Sequence, residues 1–271
     1  GKLDTELLSD IGMDMVKIVL VGAESLQFGT GMLGDIFTSQ PLRGAKIVLN
    51  DINIAAAQRT AKVAHDFIDI NRLDHTIQVE ADLRYALKGA DFVVISIEVG
   101  DRFALWDMDW KIPQQYGIQQ VYGENGGPGG LFHALRIIPP ILEICQKIAD
   151  VAPSATVFNY SNPMSRICTT VHRKFPQLNF IGMCHEIASL ERHIAPMLEQ
   201  PRENVFFRAA GLNHFSVMSE VHYVDSGQDA YDDVRARAEG YFGKMPGYSE
   251  ILTAPRISGH SVETEGWMDI D

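Results

Sequence analysis

The chain has 271 residues, a formal net charge of −12, 46% hydrophobic residues and 21% charged residues. At about 150 residues per domain, that length suits one large domain or two modest ones, and the composition excludes disordered, collagen-like and coiled-coil chains. The acidic balance excludes nucleic acid as the main partner, because phosphate binding needs clustered Lys and Arg.

In chain order, Val16 to Val21 is a short β-rich run ending at Gly22, and Ala45 to Leu49 is a second, ending at Asn50-Asp51. Ile77 to Glu80, Phe92 to Ile97, Ala155 to Phe158 and Phe180 to Met183 supply four more. Most are apolar almost throughout, as strands covered on both faces of a parallel sheet must be. Between them, 54–70, 131–148 and 186–198 carry apolar residues at helical spacing. Strands alternating with helices predict an α/β fold with a Rossmann-like doubly wound parallel sheet. After about residue 200 the rhythm changes to two strands, 205–210 and 217–224, around Gly211-Leu212-Asn213-His214. The expected division is therefore a nucleotide-binding domain over 1–200 and the start of an α+β substrate-side region over 201–271, itself incomplete.

The longest apolar runs fall far short of the ~18 residues a membrane span needs, so no membrane partner is expected. Residues 1–15 lack a basic region followed by an apolar core, so no signal peptide is expected either. Cys145, Cys168 and Cys184 are an odd set that suits a reducing, cytoplasmic setting better than a disulfide framework.

Four segments can carry chemistry. Gly22-Ala23-Glu24-Ser25 follows the first strand, where a tight turn brings backbone N–H groups to a dinucleotide pyrophosphate. Asp51 ends the second strand, where an acid can grip a ribose hydroxyl. Glu24 and Gln27 replace the second and third glycines of the usual fingerprint, so a bare strand-turn-helix crossover stays open as the alternative. Glu124-Asn125-Gly126-Gly127-Pro128-Gly129-Gly130 lets backbone approach a ligand closely, or is a plain loop. Asn159 to Asn162-Pro163 lies beyond the fifth strand, on the side of an open sheet where ligands bind, though an Asn-Pro turn is commonplace. Cys184-His185 follows the sixth strand, and His214 lies thirty residues on. A thiolate and an imidazole suit a transition metal and leave positions for substrate oxygens, whereas a lone Cys or His is ordinarily packing.

Taken in order, these motifs resemble glycoside hydrolase family 4, the NAD- and manganese-dependent glycosidases. The resemblance runs from about Val16 to His214 and includes Tyr116-Gly117, Glu124, Gly127-Pro128-Gly129-Gly130, Asn162-Pro163 and Gly182-Met183-Cys184-His185. It implies NAD held by Gly22, Ala23, Glu24, Ser25, Asp51 and Ser96. It implies Mn²⁺ or another divalent metal on Cys184 and His214, with substrate contacts from Glu124 and Asn162. His185 occupies the position of a candidate proton donor. The implied reaction is oxidation at C3 of the sugar, deprotonation at C2, loss of the glycosidic oxygen, water addition and re-reduction. The family's base is a tyrosine downstream of the Gly-x-Asn-His motif, for which Tyr231, Tyr241 and Tyr248 are available.

Trp106 stands where many relatives on phosphorylated sugars place Arg, with Arg102 nearby, so an unphosphorylated or acidic, uronate-like glycoside is the expected substrate. The resemblance also implies a homo-oligomer, dimer or tetramer, and a longer helical C-terminal half than this chain carries, so a truncated or gapped sequence is expected. Two alternatives stand beside this reading. One is an NAD-dependent 2-hydroxyacid dehydrogenase of the lactate/malate type, which also carries Asn-Pro after a strand. The other is a non-catalytic nucleotide- or sugar-binding homologue.

Overall fold

The computed structural model describes residues 15–23, 29–120, 124–212 and 215–244. They divide into two compact units. The first holds residues up to Arg102, Leu135–Asn162 and Arg166–Gly182; the second holds Phe103–Ala134, Pro163–Ser165 and the residues from Met183 on.

Six parallel strands form the sheet of the first unit: β1 (Lys17–Val21), β2 (Lys46–Asn50), β3 (Thr76–Val79), β4 (Phe92–Ile95), β5 (Thr156–Asn159) and β6 (Asn179–Gly182). Their spatial order is β3-β2-β1-β4-β5-β6, the doubly wound arrangement in which the order of strand addition reverses between β1 and β4. The apolar runs are continuous because both faces are covered. Val19 and Val21 of β1 enter one core with Val48, Val93 and Ile95, while Ile18 and Leu20 enter another with Ile47 and Leu49. Alternate side chains of a strand point to opposite faces, so β1, β2, β4 and β5 feed both cores, whereas the edge strands β3 and β6 feed one each.

Helices α1 (Gly29–Thr38) and α2 (Ile54–Asn71) cover the second of these cores. The buried face of α2 is mostly alanine (Ala56, Ala57, Ala61, Ala64, with Ile68), and Asn53 caps it by accepting the Ala56 N–H at 3.2 Å. Three further helices serve the other core: the short α3 (Leu83–Leu87), part of the long α5 (Gly127–Val151) and α6 (Met164–Lys174). In α5, Ile137, Ile141, Ile144, Cys145 and Ile148 repeat at helical spacing and are all buried. Each such isoleucine is worth roughly 1.5–3 kcal/mol of burial.

In the second unit an antiparallel pair, β7 (Val205–Leu212) and β8 (Phe215–Tyr223), runs in register from Val205↔Tyr223 to Leu212↔Phe215, with one irregularity at Arg208/Ala209. Helices α7 (His185–Met197) and α8 (Tyr231–Phe242) pack with this pair through Ile194, Ala195, Leu198, Val205, Val221 and Ala230. Helix α4 (Arg102–Gln115), α1, α3, α6 and α8 are additions to the helices read from the sequence. Glycines hide α1, while Pro113 and the exposed Phe103, Met108 and Ile112 blur the periodicity of α4.

Candidate functional site

At the carboxyl end of the sheet, β1 turns at Gly22, whose φ is +84° and whose N–H donates to the Asn50 carbonyl at 2.9 Å. A Cβ here would lie 2.7 Å from the Ser96 carbonyl carbon and nearer still to its oxygen. Glycine is therefore required twice, by the left-handed backbone and by the approach of β1 to the chain leaving β4. Gly22, Ala23 and Ser96 line one small recess with Met32 and Val94, so three residues expected to hold NAD come together. Asp51 follows β2, and its Oδ1 accepts the Asn53 N–H at 2.9 Å. Glu24 and Ser25 lie outside the described residues.

The expected fourth strand runs to Ile97, but β4 ends at Ile95. Ser96 donates its N–H to the Val21 carbonyl at 2.9 Å, the last link to β1. The Ser161 hydroxyl then takes over: it accepts the Ile97 N–H at 2.8 Å and donates to the Ile97 carbonyl at 2.9 Å. One side chain thus satisfies both polar groups of a residue that has left the sheet, tying the ends of β4 and β5 together. Beside it the fully buried Asn159 donates to the Ser161 carbonyl at 2.8 Å. This network fixes the segment that carries Asn162 out of β5.

Sequence reasoning missed Glu98. Its side chain is 31% exposed and lies 3.5 Å from Arg102 Nε. Burial pushes its carboxyl above the ordinary value, against the opposing pull of the Val99 N–H, Arg102 and Arg136. The i,i+4 spacing to Arg102 was the available signal, but it is equally common on solvated helices.

In the second unit, Glu124 is buried at 8% exposure, and His133 of α5, at 3%, is its neighbour with Nε2–Oε2 at 3.9 Å. His133 is the other residue missed, since a single His on an apolar helix face reads as packing. Gln120 braces the glycine-rich first turn of α5, which lies between them. Its Oε1 accepts the Gly129 N–H at 3.2 Å, and its Nε2 donates to the Asp109 carbonyl at 3.3 Å. Gly130 passes so close to Asn125 that a Cβ would lie 2.6 Å from the Asn125 carbonyl carbon.

Cys184 stands immediately before α7, in the N-cap position with extended backbone, and its sulfur does not cap the helix. His185 is the first residue of α7 and is exposed. His214 falls between the paired Leu212 and Phe215, outside the described residues. The other two thiols are of a different kind. Burial pushes Cys145 up to about 12 and raises Cys168, as expected of packing residues.

Two of the three candidate base tyrosines are placed. Tyr241 Oη lies 3.3 Å from His193 Nδ1, and His193 is eight residues, about 12 Å of helix rise, beyond His185. Tyr231 packs into the apolar cluster of α7, β7 and β8, with the Arg235 guanidinium 5.0 Å above its ring. Tyr248 is outside the described residues.

The family model for family 4 glycosyl hydrolases matches residues 17–200. The chain belongs to glycosyl hydrolase family 4. An alpha-glucosidase of Erwinia rhapontici is 64% identical over 250 residues, which are 92% of this chain and 55% of that protein. An alpha-galacturonidase of Bacillus subtilis strain 168 is 30% identical over 265 residues, 95% of this chain and 54% of the relative. The family 4 chain thus spans about half the length of these curated relatives. A solved 6-phospho-alpha-glucosidase from gut microorganisms, in complex with NAD and Mn²⁺, shares the fold with a TM-score of 0.74 at 22% identity. That match covers 84% of this chain and 51% of the other. Family membership sets aside the hydroxyacid dehydrogenase alternative. Among the described residues, no helix is long and apolar enough to cross a membrane.

Proposed function

We propose that this chain carries the nucleotide-binding half and the metal-ligating start of a family 4 glycosidase that cleaves an unphosphorylated α-glycoside. The observation that carries the reading is the strand order β3-β2-β1-β4-β5-β6, with Gly22 and Ser96 facing each other at the point where that order reverses. That arrangement suits NAD: Gly22, Ala23, Glu24 and Ser25 would approach the pyrophosphate, Asp51 the ribose, and Ser96 the far side of the same turn. The donor set of Cys184 and His214, a sulfur and an imidazole, suits Mn²⁺ or another divalent ion in a site with room for sugar oxygens. Most of residues 1–200 are assigned to the nucleotide and 201–271 to the opening of the substrate and metal domain, to which Glu124, Cys184 and His185 of the second unit also contribute.

When bound, the nicotinamide would accept and later return a hydride at C3, and the divalent ion would polarise the sugar's oxygens. The chain's own residues supply substrate binding and proton donation. Asn162, at the end of β5, and Glu124 would hydrogen-bond sugar hydroxyls and orient the ring. His185 would donate a proton to the departing glycosidic oxygen, and its exposed place at the start of α7 leaves it open to substrate. The 64% identity to an alpha-glucosidase favours a neutral glucoside over a uronate. A cytoplasmic homo-oligomer, dimer or tetramer, completes the reading.

The test is cleavage of aryl α-glucosides and α-galacturonides with and without NAD⁺ and Mn²⁺ under reducing conditions. Cleavage needing both additions, with solvent deuterium entering C2, is expected for the glucoside. Cys184→Ser should abolish Mn²⁺ binding measured by calorimetry. Cleavage independent of NAD⁺, or unchanged Mn²⁺ affinity in Cys184→Ser, would overturn the assignment; sugar or nucleotide binding without turnover would point to a non-catalytic homologue.

A further inference from the structure

We infer that His133 is the positioning residue for Glu124, holding that carboxyl group in the orientation in which it meets the sugar. The inference rests on the assignment of Glu124 to substrate. Both side chains are more than nine-tenths buried, and Nε2 of the imidazole lies 3.9 Å from Oε2 of the carboxyl. Burial of a carboxylate is costly unless a cation or donor stands against it, and losing that partner costs more than the pair contributes.

The local chain is built to bring the two together. Glu124 precedes α5, whereas His133 lies in its second turn, nine residues on. Gly130, in the first turn of α5, lets Asn125 lie against the helix because it has no Cβ, and its N–H makes the i→i−4 bond to the Gly126 carbonyl at 2.8 Å. Gln120 pins the same turn from outside through the Gly129 N–H. The carboxyl is thereby returned alongside the helix, where His133 is the imidazole it meets. The backbone alone fixes the position of Cα; the imidazole, an ion-pair neighbour at 3.9 Å and not a hydrogen-bond partner, biases the rotation of the carboxyl group, which is what a sugar hydroxyl reads.

The experiment is a double-mutant cycle on the full chain with an aryl α-glucoside, NAD⁺ and Mn²⁺, with binding of methyl α-glucoside measured by calorimetry alongside. His133→Leu should lower kcat/KM and sugar affinity at least about tenfold, and His133→Gln, which keeps a polar group at similar reach, should recover to within about threefold of wild type. In a Glu124→Gln background, His133→Leu should change either quantity by less than about twofold, because the group it positions has already been altered. Thermal melts identify a misfolded Leu variant, in which case Glu124→Gln, His133→Gln and His133→Asn carry the comparison. A silent His133→Leu beside an impaired Glu124→Gln overturns the positioning role and spares the substrate role of Glu124. Multiplying effects in the double variant do the same. A silent Glu124→Gln overturns both.

Discussion

Substituting Gly22 by alanine puts two independent costs on one methyl group. The φ of +84° places any L side chain in the left-handed region, which costs roughly 1–2 kcal/mol. The new Cβ would also stand 2.7 Å from the Ser96 carbonyl carbon, where ordinary contact begins near 3.4 Å. The obstacle is backbone, so it cannot swing aside as a side chain would. Moving it strains the Ser96 N–H bond to Val21 and the Gly22 N–H bond to Asn50, both 2.9 Å, and overpacking of this kind costs roughly 1–3 kcal/mol. Gly22→Ala should therefore lose about 2–5 kcal/mol in urea denaturation, a large part of a typical domain's stability. Because the shift falls on the turn assigned to the pyrophosphate, NAD affinity measured by calorimetry should fall at least about tenfold. Gly34→Ala is the matched control. It lies within α1, and a Cβ there meets nothing within 4 Å, so it should stabilise by about 0.5–1 kcal/mol. A Gly22→Ala protein with wild-type stability and wild-type NAD affinity would refute the reasoning.

Glu98 and the thiols give two further expectations. Burial raises the Glu98 carboxyl, so the folded protein holds that proton more tightly than the unfolded chain. Its contribution to stability is present at low pH and lost as pH rises through the folded value. Glu98→Gln should thus match wild type near about pH 4 and exceed it by up to about 1 kcal/mol near about pH 7; a variant less stable at neutral pH would contradict this. With Cys145 pushed up to about 12 and Cys168 also raised, a disulfide exchange reagent at neutral pH should react first at Cys184. The fast phase should vanish in Cys184→Ser, and its survival would show that Cys145 or the half-buried Cys168 is being reached.

The six parallel strands were legible because most are apolar almost throughout, a pattern that depends on nothing beyond the residues of the strand itself. The helices α2, α5 and α7 were legible for the same reason, whereas α1, α4 and α6 were not. Glycines in α1 and Pro113 in α4 leave too little periodicity to read, while α6 is amphipathic but mostly polar, with only Ile167 and Val171 buried. Motif order carried the candidate site to the ends of strands, and Gly22, Ala23 and Ser96 do meet there.

What the sequence by itself determined was the alternation of strands and helices and the identity of the chemical groups at the strand ends. Those are local properties, set by side-chain period and by single residues such as Cys184 and Asn162. Tertiary structure alone decided which groups face one another across the chain. Ser161 bridges both polar groups of Ile97, 64 residues away, and Ser96 stands against Gly22. His133 lies near Glu124 because Gly130, at the start of α5, lets the preceding segment lie against the helix. No periodicity encodes such pairings, because they depend on strand order and loop path, which are settled only when the whole core packs.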